Sequence, residues 1–101
     1  MGKYEVYSTN TFDKICEALD NNELEWLRKI KNKLEENVTG KILKFSWFWE
    51  KKYLNKRLHY LIDEESKRIL FVSFASKKEQ QNIIAFITAN INQLFIYLRS
   101  F

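Results

Sequence analysis

Two cationic clusters, Lys51-Lys52-Lys56-Arg57 and Lys77-Lys78, flank a stretch that reads as two apolar strands joined by an acidic turn. If those strands pair as a hairpin, both clusters border one groove, which suits a polyanion better than a small neutral metabolite. His59 lies two residues from Arg57, on the same strand face by alternation. Histidine titrates near neutrality, so His59 is a candidate acid or base. Trp47, Trp49 and Tyr53 sit beside the lysines, and rings interleaved with cations can stack nucleobases at about 1–3 kcal/mol per base. The same alternation puts Leu43, Phe45, Trp47 and Trp49 on one face, where they would fill a core instead. Phe45 and Trp47 are assigned to the core; Trp49 and Tyr53 stay open to either use.

The net charge of +4 is unevenly spread. Residues 1–40 carry six basic and eight acidic side chains, residues 41–60 six basic against Glu50 alone, and residues 61–101 five against four. The middle fifth therefore holds the positive field, as phosphate binding requires, although a solvated lysine face kept for solubility has the same composition. A single cysteine, Cys16, excludes an internal disulfide and fits a reducing cytoplasm. With one histidine besides, there is no thiolate or imidazole set for structural zinc. The carboxylates of Asp63-Glu64-Glu65 and Glu79 read as solvated turn residues, so neither a metal nor a cofactor is expected. No run of about 18 uncharged apolar residues exists to span a membrane, and MGKYEVYSTN has no apolar segment of the secretory kind. The Asn37-Val38-Thr39 sequon reads as a helix end.

The elements that must position these side chains follow from periodicity. At 101 residues the chain is expected to form one domain, residues 1–101. Residues 3–8 alternate, with Tyr4 and Val6 on one face, and predict a short strand. Phe12, Ile15, Cys16 and Leu19 recur at helical spacing behind the cap candidates Ser8, Thr9, Asn10 and Thr11, with Cys16 as a small core residue. Leu24, Leu27, Ile30 and Leu34 mark a second helix over residues 23–37, and Gly40 ends the unit. Strands are predicted over residues 41–49, 57–62 and 68–74, with 50–56 a basic turn region and 63–67 a tight polar connection. The runs YLI and LFV predict strands covered on both faces. Ser76-Lys77-Lys78-Glu79 has the spacing of a capping box. After it, Ile83, Ile84, Ile87, Ile91, Leu94, Phe95 and Leu98 predict one helix of about 23 residues, roughly 34 Å long. The sum is an α+β fold: strand, helix, helix, three strands and a long C-terminal helix, with a mostly antiparallel sheet backed by helices.

That order, with particular residues, resembles the RelE-like toxins of type II toxin–antitoxin systems, within the RelE/ParE superfamily. The local match is Lys56-Arg57-Leu58-His59-Tyr60-Leu61-Ile62, a basic residue leading an apolar-aromatic strand. The acidic turn, the strand over residues 69–74 and the basic segment Ser76-Lys77-Lys78-Glu79-Gln80-Gln81 follow in the family's order. The resemblance implies a metal-independent, ribosome-dependent mRNA endoribonuclease of the cytoplasm, neutralised by a cognate antitoxin. In that chemistry the 2′-hydroxyl attacks the adjacent phosphate, and cations stabilise the developing charge. Arg57 matches the arginine that binds the scissile phosphate. Lys78, with Lys77 beside it, stands where the family has a transition-state arginine. Lys51 and Lys52 resemble the family's basic contributors from the preceding strand or turn, and Lys56, Lys77 and Tyr53 join them as candidate RNA-binding residues. Some members carry a tyrosine early in the final helix; here Asn82-Ile83-Ile84 stand there, leaving His59 as the substitute acid or base. The tail of that helix (Leu94, Phe95, Tyr97, Leu98 and Phe101) would meet the antitoxin or, as a homodimer, a second copy. A ParE-like gyrase-poisoning toxin and a non-catalytic basic module for nucleic acid or peptide remain as alternatives.

Overall fold

The computed structural model describes residues 3–37, 40–43 and 45–101. Gly2, the Val38-Thr39 part of the sequon and Lys44 lie outside the described residues. Chain order is β1 (Glu5–Ser8), α1 (Asn10–Glu17), α2 (Asn21–Glu36), β2 (Lys41–Ile42), β3 (Phe48–Tyr53), β4 (Lys56–Asp63), β5 (Arg68–Ser76), a 3-10 turn (Lys77–Glu79), α3 (Gln80–Ala89) and α4 (Ile91–Arg99). The strands form one sheet in the order β1-β5-β4-β3-β2. β1 runs parallel to β5; the other pairs are antiparallel. The α+β order and mostly antiparallel sheet expected from periodicity are present.

Each sheet face has its own core. On one, Leu58, Tyr60, Ile62, Ile69, Phe71 and Phe74 pack against Phe12 of α1 and Leu27, Ile30 and Leu34 of α2. On the other, Phe48, Leu61, Leu70 and Val72 pack against Ile87 of α3 and Leu94 and Leu98 of α4. Burial on both faces explains the unbroken apolar runs in β4 and β5. Each fully buried leucine or isoleucine there contributes on the order of 1.5–3 kcal/mol relative to exposure. At His59/Tyr60 the β4–β5 register slips, so that Val72 is the extra residue of a bulge. Val72 and Ser73 consequently share the α3–α4 side of the sheet.

Local chemistry sets the helix starts. The Thr9 side chain accepts from the Phe12 amide at 3.0 Å. Asp20 accepts from the Glu23 amide at 2.8 Å while Glu23 accepts from the Asp20 amide at 3.1 Å, so the reciprocal capping box belongs to α2. The box predicted at Ser76 and Glu79 is not made. The Lys77 amide donates instead to the Asn55 carbonyl at 3.2 Å. Nor is the C-terminal helix continuous. It breaks at Asn90 (φ −117°, ψ 19°), whose Nδ2 donates to the Phe86 carbonyl at 2.8 Å. This side chain competes with the backbone for a helical acceptor, and asparagine is prone to that.

The largest departure lies in residues 41–53. A single strand over 41–49 is replaced by the two-residue β2, a turn and then β3, which runs on through the lysines assigned to a basic turn. The turn is held by the Phe48 amide on the Phe45 carbonyl at 2.9 Å and by Trp49 Nε1 on the Ser46 carbonyl at 2.8 Å. Within β3 the side chains alternate, Phe48 entering the α3–α4 core and Trp49 packing toward α1–α2. Phe45, assigned to the core, is exposed and stacks on Trp47 with centroids 4.7 Å apart; Trp47 itself packs against the α3–α4 core. Gly40 (φ 123°) must be glycine: a Cβ there would lie 2.1 Å from the Tyr60 hydroxyl and 2.8 Å from the Glu50 carbonyl. Among the described residues no helix is long and apolar enough to cross a membrane.

Candidate nucleic-acid interface

β3 and β4 form a hairpin closed by a two-residue loop, since Tyr53 pairs with Lys56. Its register sets Lys52 opposite Arg57, and Glu50 opposite His59. Among the described residues β2 pairs only with Trp49 and Glu50 of β3, and no described strand neighbours the outer edge of β3 from Lys51 onward. A groove of about 320 Å³ lies there, lined by Gly40, Lys41, Glu50, Lys51, Lys52 and Arg57. Lys52 and Arg57 share the Glu50 face of the hairpin, whereas Lys51, opposite Leu58, projects toward the α1–α2 side and meets the groove only at the strand edge. Lysines on an open edge also block edge-to-edge pairing, and this function alone accounts for their type but not for Arg57.

Arg57 is held in place. Its Nε lies 3.6 Å from Glu50 Oε1, and the two side chains are only 13% and 11% exposed. Its Nη1 also donates to the Lys56 carbonyl at 3.3 Å, so the guanidinium is tied at two points, the kind of preorganisation that phosphate recognition uses. Neither Lys41 nor Glu50 was singled out from the sequence. The signal for Glu50 was present, since it is the one acid in residues 41–60, but only pairing revealed its partner.

Lys77 and Lys78 reach the same end of the sheet. β4 pairs Lys56 with Ser76, and the Lys77–Asn55 backbone bond ties the 3-10 turn to the hairpin loop. Lys52, Lys77 and Lys78 are exposed and form no ion pair among the described residues. Lys56 and Tyr53 do not join them. Lys56 pairs with Glu23 of α2 and lies 5.3 Å from the Phe74 ring centroid. Tyr53 packs on Trp26, centroids 4.8 Å apart. Both therefore face α2, across the sheet from Arg57, because strand alternation sends neighbouring side chains to opposite faces.

His59 does share the Arg57 face, but it is fully buried beneath α3–α4 with its ring against Phe48 at 6.0 Å. Neither ring nitrogen has a hydrogen-bond partner among the described residues. Burial first, and the Arg57 charge second, push its pKa down to about 4. It is neutral at pH 7 and shielded from the groove, in contrast to the accessible acid or base expected from the sequence. Cys16 is half-buried against the α1–α2 core, and burial raises its thiol pKa, as for a packing residue. No group of three or more potential metal ligands occurs among the described residues.

A larger cavity of about 620 Å³ lies elsewhere, between the start of α1 and α3–α4, with Val72 and Ser73 in its wall. It carries no charged side chain, whereas the groove along β3 is lined by lysines and Arg57.

Neither a protein-family model nor a curated protein sequence matches the chain. Solved structures do. The RelBE2 toxin–antitoxin complex from Mycobacterium tuberculosis is similar with a TM-score of 0.63 at 21% identity, over 76% of this chain and 94% of the solved one. The isolated E. coli RelE toxin matches with a TM-score of 0.62 at 16% identity, over 82% and 98% of the respective chains. A mutant of that toxin with two arginines replaced by alanine, in complex with an antitoxin RelBc peptide, gives 0.63 at 17%, over 80% and 94%. With its five-stranded mixed sheet and helices on both faces, the chain has the RelE-like toxin fold.

Proposed function

We propose that this protein is a RelE-like toxin whose activity is metal-independent, ribosome-dependent endonucleolytic cleavage of mRNA in the cytoplasm, and that a cognate antitoxin neutralises it. The observation that carries the reading is Arg57. On a fold shared with RelE toxins, it is a guanidinium fixed by Glu50 in a groove that also holds Lys41, Lys51 and Lys52. In this reading Arg57 binds the scissile phosphate and Lys52 and Lys78 stabilise its added charge as the 2′-hydroxyl attacks. The chain's own acid–base groups contribute little, since His59 is buried and Asn82-Ile83-Ile84 carry nothing titratable. The cations must then supply most of the acceleration, with orientation by the ribosome. Two neighbours solved with antitoxins support such a partner here.

The test is induced expression in a bacterial host, with growth and mRNA 5′ ends followed together. Growth arrest with new ends inside translated codons, abolished by Arg57→Ala, is the expected result. Intact mRNA with DNA-damage signalling identifies a gyrase-poisoning toxin instead. The buried His59 favours one second reading, a non-catalytic binding module. Its signature is a harmless protein that retards RNA on a gel.

A further inference from the structure

Leu54 stands in the β3–β4 loop in the left-handed region, at φ 54°, with 74% of its surface exposed. Folding explains neither property. Left-handed backbone suits glycine or asparagine because a Cβ crowds the following carbonyl. Two-residue hairpin loops favour those residues for the same reason. Leu54 also belongs to neither core cluster, so its side chain gains nothing from burial. The other described non-glycine residue with positive φ, Lys67 at 57°, is different in kind. It is polar, donates to Glu64 at 3.1 Å and lies over the Tyr4 ring.

The surroundings of Leu54 are cationic. Lys52 precedes it by two residues, and the Lys77–Asn55 backbone bond brings the exposed Lys77 and Lys78 to the same loop. An apolar projection among cations without ion pairs matches a single-stranded nucleic acid, whose phosphates seek the lysines and whose unstacked bases offer apolar faces. Resting on the RNA reading above, we propose that Leu54 is a wedge for single-stranded RNA. Its side chain packs on the face of an unstacked base while Lys52 and Lys77 hold the adjoining phosphates. Every base has such a face, so the contact is sequence-tolerant. A duplex, with its bases paired and stacked, offers none.

Anisotropy with a short labelled 2′-O-methyl RNA, single-stranded or annealed to its complement, tests this without cleavage. Leu54→Asn is expected to weaken single-strand binding about tenfold, leave duplex binding and the salt slope unchanged, and hold or raise Tm. Leu54→Phe should retain the affinity. Lys52→Ala should instead reduce the salt slope by about 0.7. If Leu54→Asn binds the single strand like wild type while Lys52→Ala is weakened, the wedge is wrong and the RNA reading stands. If wild type binds neither RNA, or Lys52→Ala binds unchanged, the wedge fails, while the ribosome-dependent reading stands or falls on the growth and 5′-end assay. Leu54-dependent binding to anionic phospholipid vesicles, with RNA binding insensitive to Leu54, also overturns the wedge.

Discussion

Arg57 and Glu50 form an ion pair from adjacent strands, Nε to Oε1 at 3.6 Å, with both side chains almost out of solvent. Glu50 thereby positions the guanidinium and also competes for it with any incoming phosphate. Arg57→Ala removes the phosphate ligand but strands a mostly buried carboxylate, so it is expected to abolish toxicity and to cost about 1–3 kcal/mol of stability. Glu50→Gln combined with Arg57→Ala should recover most of that stability and remain non-toxic. Growth assays paired with chemical denaturation separate the two effects. A double variant that regains toxicity would remove Arg57 from the site.

His59 makes stability depend on pH. Its folded pKa of about 4 lies below the usual 6.5, so the unfolded chain binds the extra proton between those values. Stability from this group is fully present above pH 6.5 and is lost as pH falls toward 4, by an amount on the order of 3 kcal/mol. His59→Phe should flatten that part of the profile. Denaturation midpoints of both proteins at pH 7 and pH 4.5 provide the check, and parallel profiles would contradict the assigned burial.

Arg99 clamps α4 to the end of β4. Its Nε donates to Asp63 Oδ2 at 2.7 Å, and Ser66 Oγ donates to the same oxygen at 2.7 Å. The Arg99 hydrogen bond is the main reason the Asp63 pKa is lowered, with Ser66 helping. Because the folded value lies below the unfolded one, this contribution holds above about pH 4 and is lost as pH falls below it. Arg99 is 53% exposed, so Arg99→Ala is expected to cost only about 1–2 kcal/mol. Faster amide exchange over residues 91–99 than over β4 and β5 would accompany it. Uniform acceleration across the sheet would instead mean that α4 does not loosen on its own.

Gly40→Ala should be severe. The new methyl would strike the Tyr60 hydroxyl and the Glu50 carbonyl while the backbone stays at φ 123°. A loss of about 3 kcal/mol or more is expected, of which Tyr60→Phe in the same chain should return a part by removing the nearest atom. Midpoints of the single and double variants decide this. An unchanged midpoint for Gly40→Ala would mean that β2 shifts away at little cost.

Much of this protein is legible in one dimension. The apolar stripes of Leu27, Ile30 and Leu34, and of Ile87, Leu94 and Leu98, repeat at helical spacing because each helix buries one side, and the runs in β4 and β5 are unbroken because helices cover both faces. The concentration of cations in residues 41–60 likewise needed only counting. Partnership across space is what the sequence left open. Lys51 and Lys52 look like turn residues until β4 pairs with them, and pairing depends on backbone groups that side-chain type does not encode. Alternation then sends Lys56 to Glu23 and Arg57 to Glu50, dividing a cluster that is contiguous in sequence between two faces. His59 reads as an accessible base beside Arg57, and packing of α3–α4 over the sheet makes it a buried neutral ring. Local periodicity thus determined the helical stripes and the central strands, whereas only the tertiary structure decided how residues 41–53 divide into β2 and β3 and which charges meet, because burial and pairing are set by residues distant in the chain.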